Sequence, residues 1–353
     1  MRSDSGDQQL GTIAGACTVL LTLLGWSVTP LFIRYFAVYE LERGHPIDPW
    51  TSNGWRYGFS ALLWGAPLLL WWFRKKLPTG IWTAALIPAL MNCLGQIGFT
   101  WAHYKIDPGL LTFGLRAQMI VVAIGAALLF PTERLVIRKP SFILGILMVM
   151  GGTAGTIAFD DEFGSTQNLF GVGLALWAGA FFAAYALAVR KCMAGINPMM
   201  AFAVISQYTA GTMLVIMLFF GVESGVTAVE LPGPQFGLLL LSSVIGIGLG
   251  HVLYYISIAK LGVAVSTGVI QLQPFTVALL SLWWFGEILT LPQWGLGALA
   301  VAGAILMLVV QHVTMSRRKQ SELPADHVAA AAAEAEILST HSGHVSPGNP
   351  SRG

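Results

Sequence analysis

The chain has 353 residues, of which 55% are hydrophobic and only 10% are charged, with a mean hydropathy of +0.70. A soluble domain carries about 25% charged residues, so this composition excludes a soluble protein and favours an integral membrane protein. The net charge of +2 does not indicate a nucleic-acid partner, and the three cysteines occur singly, without the spacing of a metal site. We therefore expect no nucleic acid, no metal and no cofactor.

Ten apolar segments recur along the chain, each long enough to cross a bilayer core of about 30 Å as a helix. The first has no small-residue cleavage site after it, so we expect it to be a retained helix rather than a signal peptide. The predicted spans are residues 12–35, 53–72, 81–102, 110–130, 142–159, 169–189, 198–220, 236–259, 263–285 and 294–310. The predicted fold is an all-α integral membrane protein with ten transmembrane helices.

The basic residues between these segments predict the orientation. With a cytoplasmic N-terminus, fourteen Lys and Arg residues lie inside, and only Arg43 and Lys105 lie outside. The fourteen are Arg2, Arg74, Lys75, Lys76, Arg134, Arg138, Lys139, Arg190, Lys191, Lys260, Arg317, Arg318, Lys319 and Arg352. Because cytoplasmic loops are enriched in Lys and Arg, the asymmetry predicts a plasma or inner membrane protein with both termini in the cytoplasm.

An internal repeat relates the two halves of the chain. GQIGFTWAHYKIDPGLLTFGLRAQ from Gly95 aligns with GHVLYYISIAKLGVAVSTGVIQLQ from Gly250 at a constant offset of 155 residues, and Glu133 corresponds to Glu287. Each half has five helices, an odd number, so the second half must enter the membrane in the opposite orientation. The repeat therefore predicts two inverted five-helix units around a central site, the architecture of many secondary transporters.

The repeat also predicts how the chain is divided. Residues 12–159 form the first unit and residues 169–312 the second, with residues 160–168 as an extracytoplasmic linker between them. Residues 1–11 form a cytoplasmic N-terminus. Residues 313–353 are expected to be a disordered cytoplasmic tail, because the end of the chain is rich in Ala, Ser, Gly and Pro.

Three stretches carry a resemblance to a known family: GWSVTPLFIRYFA from Gly25, WRYGFSALL from Trp55, and STGVIQLQPFTVALLSLWWFGEILTLPQWGLGALAVAGAILM from Ser266. On these residues the chain resembles the drug/metabolite transporter superfamily, of the EamA type with two EamA repeats. The resemblance implies ten helices and a transport function. It departs in helix four, where Met119 stands opposite Pro274 and Arg116 lies nearby, so the substrate residues of relatives are not carried over.

Two arginines lie inside apolar segments. Arg116 is about 5 Å from the middle of segment 110–130, where inserting a charge costs at least about 2.5 kcal/mol. It is either a clamp that bridges backbone carbonyls or helix ends and locks two helices together, or an anchor for an anionic substrate. The second role is favoured because the segments offer no membrane-embedded Asp or Glu to neutralise the charge. Arg56, beside Trp55 and Tyr57, has either a packing or gating role or a substrate contact.

Six further polar residues lie in the apolar helices: Gln96, Gln118, Gln207, Gln271, Gln273 and His251. Any one of them is explained by a hydrogen bond between helices, worth about 0.6 kcal/mol on average. Together they predict a polar cavity, because Gln96 and His251 are approximate repeat mates, as are Gln118 and Gln273. With Arg116 and Arg56 they form the predicted substrate-binding set.

The predicted function is a secondary transporter, an exporter of a small and anionic or zwitterionic metabolite, that works by alternating access around this cavity. The alternatives are a translocase of a lipid-linked head group and, with less support, a membrane-embedded enzyme. The chain contains no HExxH, GxSxG or P-loop motif, so we expect no enzyme activity. The expected partners are a small molecule and the lipid bilayer, and a homodimer is left open.

Overall fold

A computed structural model of the chain describes residues 2–39, 44, 47–131, 134–160, 164–261 and 263–321. Arg43, Glu133, residues 161–163 of the predicted linker and the tail from residue 322 lie outside the described residues. Within these ranges all regular secondary structure is helical. The all-α fold expected from the composition is therefore confirmed.

Ten long helices follow one another along the described part of the chain. They are α1 Arg2–Arg34, α2 Pro49–Phe73, α3 Ile81–Ala102, α4 Pro108–Leu129, α5 Pro140–Ala158, α6 Thr166–Cys192, α7 Pro198–Phe220, α8 Gly233–Leu261, α9 Val265–Phe285 and α10 Leu291–Ser321. Within the described residues, nine of the ten are long and apolar enough to cross a membrane. The exception is α2.

The hydropathy of α2 is lower because its first half is polar: Ser52, Asn53 and Arg56 are buried there against other helices. The helix has 25 residues, which at 1.5 Å per residue gives about 38 Å, enough to span the bilayer core. Its second half turns large apolar side chains such as Leu62 and Leu69 outward. We therefore count α2 as the tenth spanning helix, since its polar side chains face the protein.

The helices pack as two similar halves. α3 packs along α6 as α8 packs along α1, while α2 contacts α7, α4 contacts α9 and α5 contacts α10. Exchanging α1–α5 with α6–α10 leaves this set of contacts unchanged. The equivalent helices α2 and α7 even begin alike, each with a proline in the first turn after a capping side chain, Asp48 or Asn197. The packing is that of the predicted inverted repeat.

Two equivalent helices, α4 and α9, are broken near their middle. α9 is interrupted after Ile270 and resumes at Gln273, because Pro274 has no N–H to continue the hydrogen-bond ladder. In α4 one 3-10 turn, Leu115–Ala117, separates two α-helical pieces. The break in α4 occurs although Met119 stands at the position of the proline.

The side chain of Arg116 provides a physical reason for the break in α4. A 3-10 turn bonds each N–H to the carbonyl three residues back, which leaves an earlier carbonyl free for another donor. The carbonyl oxygen of Thr112 accepts a hydrogen bond from Nε of Arg116 at 3.3 Å. Although α4 has Met119 where the family pattern has a proline, the bond from Arg116 to Thr112 thus allows the helix to be interrupted there.

Glycines allow α5 and α10 to approach closely. A methyl group on Gly152 would lie 2.4 Å from the amide nitrogen of Ala300, and one on Gly303 would lie 2.7 Å from the carbonyl oxygen of Gly145. A methyl group on Gly151, one position earlier, would meet no atom within 4 Å. The neighbouring Gly152 makes the contact because only it faces α10.

The terminal helices are longer than the sequence indicated. α1 begins at Arg2 rather than near residue 12, and α10 continues to Ser321, beyond the predicted start of the tail at residue 313. Residues 313–321 include Met, Arg, Lys and Gln, which favour helix wherever packing does not decide. Hydropathy marks the part of a helix inside the membrane, whereas the helix itself extends into water.

Candidate functional site

Arg116 and Gln271 meet at the centre of the molecule, where α4 and α9 are broken. Arg116 is 2% exposed, and its Nη1 donates to Oε1 of Gln271 at 2.7 Å. The two residues are 155 positions apart, the offset of the internal repeat. A direct contact between repeat mates places the pseudo-twofold axis between them.

The partners of Arg116 are neutral. Besides Gln271 it bonds the carbonyl of Thr112 in its own helix, and no ion pair to it occurs among the described residues. Gln271 is itself buried, and its Nε2 lies 3.8 Å from Sδ of Met119. The contact joins the two broken helices, as the clamp hypothesis requires, but leaves the positive charge without a counter-ion.

Gln273 and His251 both contact Trp26 of α1. Nε2 of Gln273 donates to the carbonyl of Trp26 on α1 at 2.9 Å. The ring of Trp26 packs edge-on against His251, which stacks on Phe202 with ring centroids 4.1 Å apart. Nδ1 of His251 is 3.0 Å from the carbonyl of Ile247. The histidine thus belongs to an aromatic cluster.

The three remaining glutamines lie in separate contacts between helices. Gln118 is half-buried and packs at Gly179 of α6. Gln207 donates from Nε2 to the carbonyl of Ala61 on α2 at 3.1 Å. The backbone carbonyl of Gln96 accepts from Nδ2 of Asn53. Among the described residues of the predicted set, the structure therefore joins Arg116 to Gln271 directly, and it links Gln273 to His251 only through Trp26.

Arg56 is buried between α2 and α8 with part of its guanidinium unused. The residue is 3% exposed, and its Nε donates to Oγ of Ser242 at 3.0 Å. Within the described residues its Nη1 is buried without a hydrogen-bond partner, and so is Oγ of Ser60 one turn further along α2. Leaving a buried charged donor without an acceptor is destabilising. Arg56 therefore retains capacity to bind an anion.

A cluster of charges that the sequence did not single out lies where α1, α3 and α9 end. Nη2 of Arg34 is 2.6 Å from Oδ1 of Asp107, and its Nε is 2.7 Å from Oε1 of Glu287. Nη1 of Arg34 donates to the carbonyl of His103 at 3.1 Å, and Oγ of Ser281 donates to Glu287. We call Arg34, Asp107 and Glu287 the outer cluster, because the predicted orientation places them at the extracytoplasmic end, here the outer end.

One signal in the sequence could have found the outer cluster. All three charges stand at helix ends that the positive-inside rule assigns to the same side of the membrane. The structure adds that Glu287 bonds to Arg34, in the other half of the molecule.

The environment of the outer cluster alters the protonation of two residues in the loop between α3 and α4. Burial, and next the adjacent carboxylate of Glu287, raise the pKa of Asp107 to about 6, although Arg34 opposes the rise. Burial lowers the pKa of His103 to about 3, so this imidazole stays neutral near neutral pH. Asp107 therefore titrates closer to neutral pH than an ordinary aspartate does.

Comparisons with known proteins agree with this architecture. Residues 169–309 match the model of the EamA-like transporter family. No curated protein matches the chain significantly in sequence. One solved crystal structure of a protein aligns with a TM-score of 0.57 and 16% identity, over 86% of this chain and 98% of that chain, a likeness in fold.

The family match covers α6 to α10 almost entirely, which is the second of the two packed halves. It confirms the resemblance that the stretch from Ser266 carries. Nine helices within the described residues are long and apolar enough to cross a membrane, as expected of a multi-pass membrane protein. Through residues 169–309, this chain is similar to the EamA-like transporter family, a family of membrane transporters of the drug/metabolite type.

Proposed function

We propose that this protein is a membrane transporter that exports a small metabolite by alternating access. The observation that carries the proposal is the hydrogen bond between the repeat mates Arg116 and Gln271, at the interruption of two equivalent helices. In inverted-repeat transporters, substrate sites lie near the midplane at the interface of the repeats, and they are formed by discontinuous helices. The arrangement of α4 and α9 fits that description.

We further propose that the substrate carries a negative charge and is either anionic or zwitterionic. Arg56 and Arg116 are both buried, and neither forms an ion pair within the described ranges. A guanidinium offers a planar fork of donors that suits a carboxylate or a phosphate. Buried charges in membrane proteins are stable when paired or solvated, and a substrate anion would supply such a partner.

The test is a transport screen with purified protein in lipid vesicles, measured in both directions with amino acids, organic anions and cationic drugs. We expect an anionic or zwitterionic compound to move and the cations not to move. Arg116→Gln should abolish transport while leaving the protein folded, and Arg116→Lys should restore little, because an ammonium lacks the bidentate geometry. Unchanged transport together with a large loss of thermal stability would show that Arg116 is only a clamp.

One observation favours the second candidate, a translocase of lipid-linked head groups. A cavity of about 330 Å³ between α2, α7 and α8 has an apolar lining that includes Leu63 and Leu249, which are 40% and 51% exposed on the lipid-facing surface. Gly248→Leu would fill this cavity, since a methyl group at Gly248 already lies 3.6 Å from Leu63. Loss of lipid translocation with unchanged metabolite transport would support the translocase; the reverse would support the exporter.

A further inference from the structure

The outer cluster joins the two halves of the transporter at one end. Arg34 ends α1 in the first half, and Glu287 follows α9 in the second, with 2.7 Å between their charged atoms. Asp107, just before α4, bonds to the same guanidinium at 2.6 Å. The halves therefore cannot separate at this end unless Arg34 leaves Glu287. A transporter that alternates between its two sides must make such a separation.

The charges of the outer cluster do not balance. Asp107 and Glu287 bind the same guanidinium, that of Arg34, at 2.6 and 2.7 Å, so two carboxylates share one cation. Two adjacent carboxylates repel each other, and a proton on one of them removes the repulsion and supplies a donor for the other. With both carboxyl groups ionised the net charge is −1, and one bound proton makes it zero.

No other group described at this end compensates the second carboxylate. Tyr104 donates its hydroxyl to the carbonyl of Ile47, and Nδ1 of His103 lies 2.7 Å from the carbonyl of Phe99. Lys105 forms no ion pair within the described part of the chain. Asp160, a further acid after α5, is bonded to Asn168. The missing positive charge is therefore not supplied by the elements packed around the cluster.

We propose that the outer cluster binds one proton, shared between the carboxyl groups of Asp107 and Glu287, and that this proton holds the outer end closed. The inference rests on the proposed alternating-access transport, in which a closed outer end is one of the states of the cycle. The side chain of Asp107 is 42% exposed, against 15% for Arg34 and 16% for Glu287, so protons reach the cluster through Asp107.

The direction of the pH effect follows from linkage. In the closed arrangement the pKa of Asp107 is about 6, raised from 3.8, so the closed form binds the proton more tightly than an open form in which Asp107 is hydrated. The proton therefore stabilises the closed form fully below pH 3.8, the ordinary pKa of an aspartate. This stabilisation is lost as the pH rises through about 6. Between pH 8 and pH 5 the ratio of closed to open forms should increase about tenfold.

A single introduced cysteine can report this equilibrium without knowledge of the substrate. Ser27 of α1 is fully buried against Thr276 of α9, two turns below Arg34, and Ser27→Cys is nearly isosteric. In a variant with the native cysteines replaced by alanine, a membrane-impermeant methanethiosulfonate is applied to intact cells at external pH 5 to 8. The rate is normalised to that of Val229→Cys, because Val229 is 57% exposed in the loop between α7 and α8. We expect about tenfold slower labelling at position 27 when the external pH is 5.

The controls separate the shared proton from general effects of acid. Asp107→Asn imitates the protonated state and should give slow labelling that no longer depends on pH, while Lys105→Gln should keep the wild-type pH dependence. Labelling at position 27 that is unaffected by pH, or an Asp107→Asn variant that keeps the pH dependence, would overturn the inference. Thermal melting shows that each variant is folded. Since no substrate is needed, a negative result leaves the proposed transport function to its own test.

Discussion

A permanent charge in the middle of a bilayer persists only where the protein provides acceptors for it. For Arg116 these are the carbonyl of Thr112, exposed by the break in its own helix, and the side-chain amide of Gln271. Both acceptors are neutral, so they satisfy donors without cancelling the charge. The arginine can therefore join α4 to α9 and still attract an anion, and the two hypotheses drawn from the sequence are compatible at one residue.

Changes at Gln271 separate these two roles. Gln271→Leu removes the acceptor of Arg116 Nη1 and should lower the free energy of unfolding by about 2 kcal/mol, because a buried charged donor is left without a partner. Gln271→Glu keeps the acceptor and adds a counter-ion, so it should preserve stability while weakening transport of an anion. Thermal melting in detergent and vesicle transport measure the two effects. Equal stability of both variants would contradict the role of Gln271 as acceptor.

At the scale of helices, α5 and α10 are packed tightly against each other by their glycines, whereas α4 and α9 are interrupted. α5 and α10 are continuous and touch backbone to backbone at Gly145 and Gly303. α4 and α9 lie between the halves and are both broken. Close backbone contact over several turns makes α5 and α10 a fixed pair, against which the broken helices can rearrange.

Adjacent glycines in α5 give a matched test of this contact. Gly152→Ala would place its methyl group within 2.4 Å of the backbone of α10, and relieving that overlap should cost about 1–3 kcal/mol. Gly151→Ala faces open space one position away and should be neutral or slightly stabilising, because alanine favours helix. The melting temperatures of the two variants provide the measurement, and similar values would show that the α5–α10 contact is not tight.

At the scale of the whole molecule, the fold was largely predictable and the outer cluster was not. Bilayer thickness and hydropathy indicate ten helices because each must satisfy its own backbone hydrogen bonds. The repeat offset of 155 residues also separates Arg116 from Gln271, although the repeat mates predicted for the cavity were Gln96 with His251 and Gln118 with Gln273. Arg34, however, is 73 residues from Asp107 and 253 from Glu287, and only tertiary packing determines which helix ends meet. Tertiary packing also explains the low hydropathy of α2. Its polar residues are buried against neighbouring helices, and sequence periodicity does not identify those neighbours.

The orientation of the whole chain is a prediction from its basic residues. Cysteines introduced at Lys75 or Arg138, both exposed, should be protected from an impermeant thiol reagent in intact cells and should react after permeabilisation. A cysteine at Val229 should react in both cases. Labelling of position 75 or 138 in intact cells would contradict the orientation and, with it, the assignment of Arg34, Asp107 and Glu287 to the outer end.

The bond from Arg116 to the carbonyl of Thr112 has an electrical consequence. If Gln271 moves away, the guanidinium stays attached to α4 and is carried along with that helix. The membrane potential does work of about 2.3 kcal/mol per 100 mV on an elementary charge that crosses it, so displacement through a tenth of the field is worth about 0.2 kcal/mol. The transport rate should therefore depend on voltage even for a cargo that moves without net charge, and Arg116→Gln should remove this part of the voltage dependence.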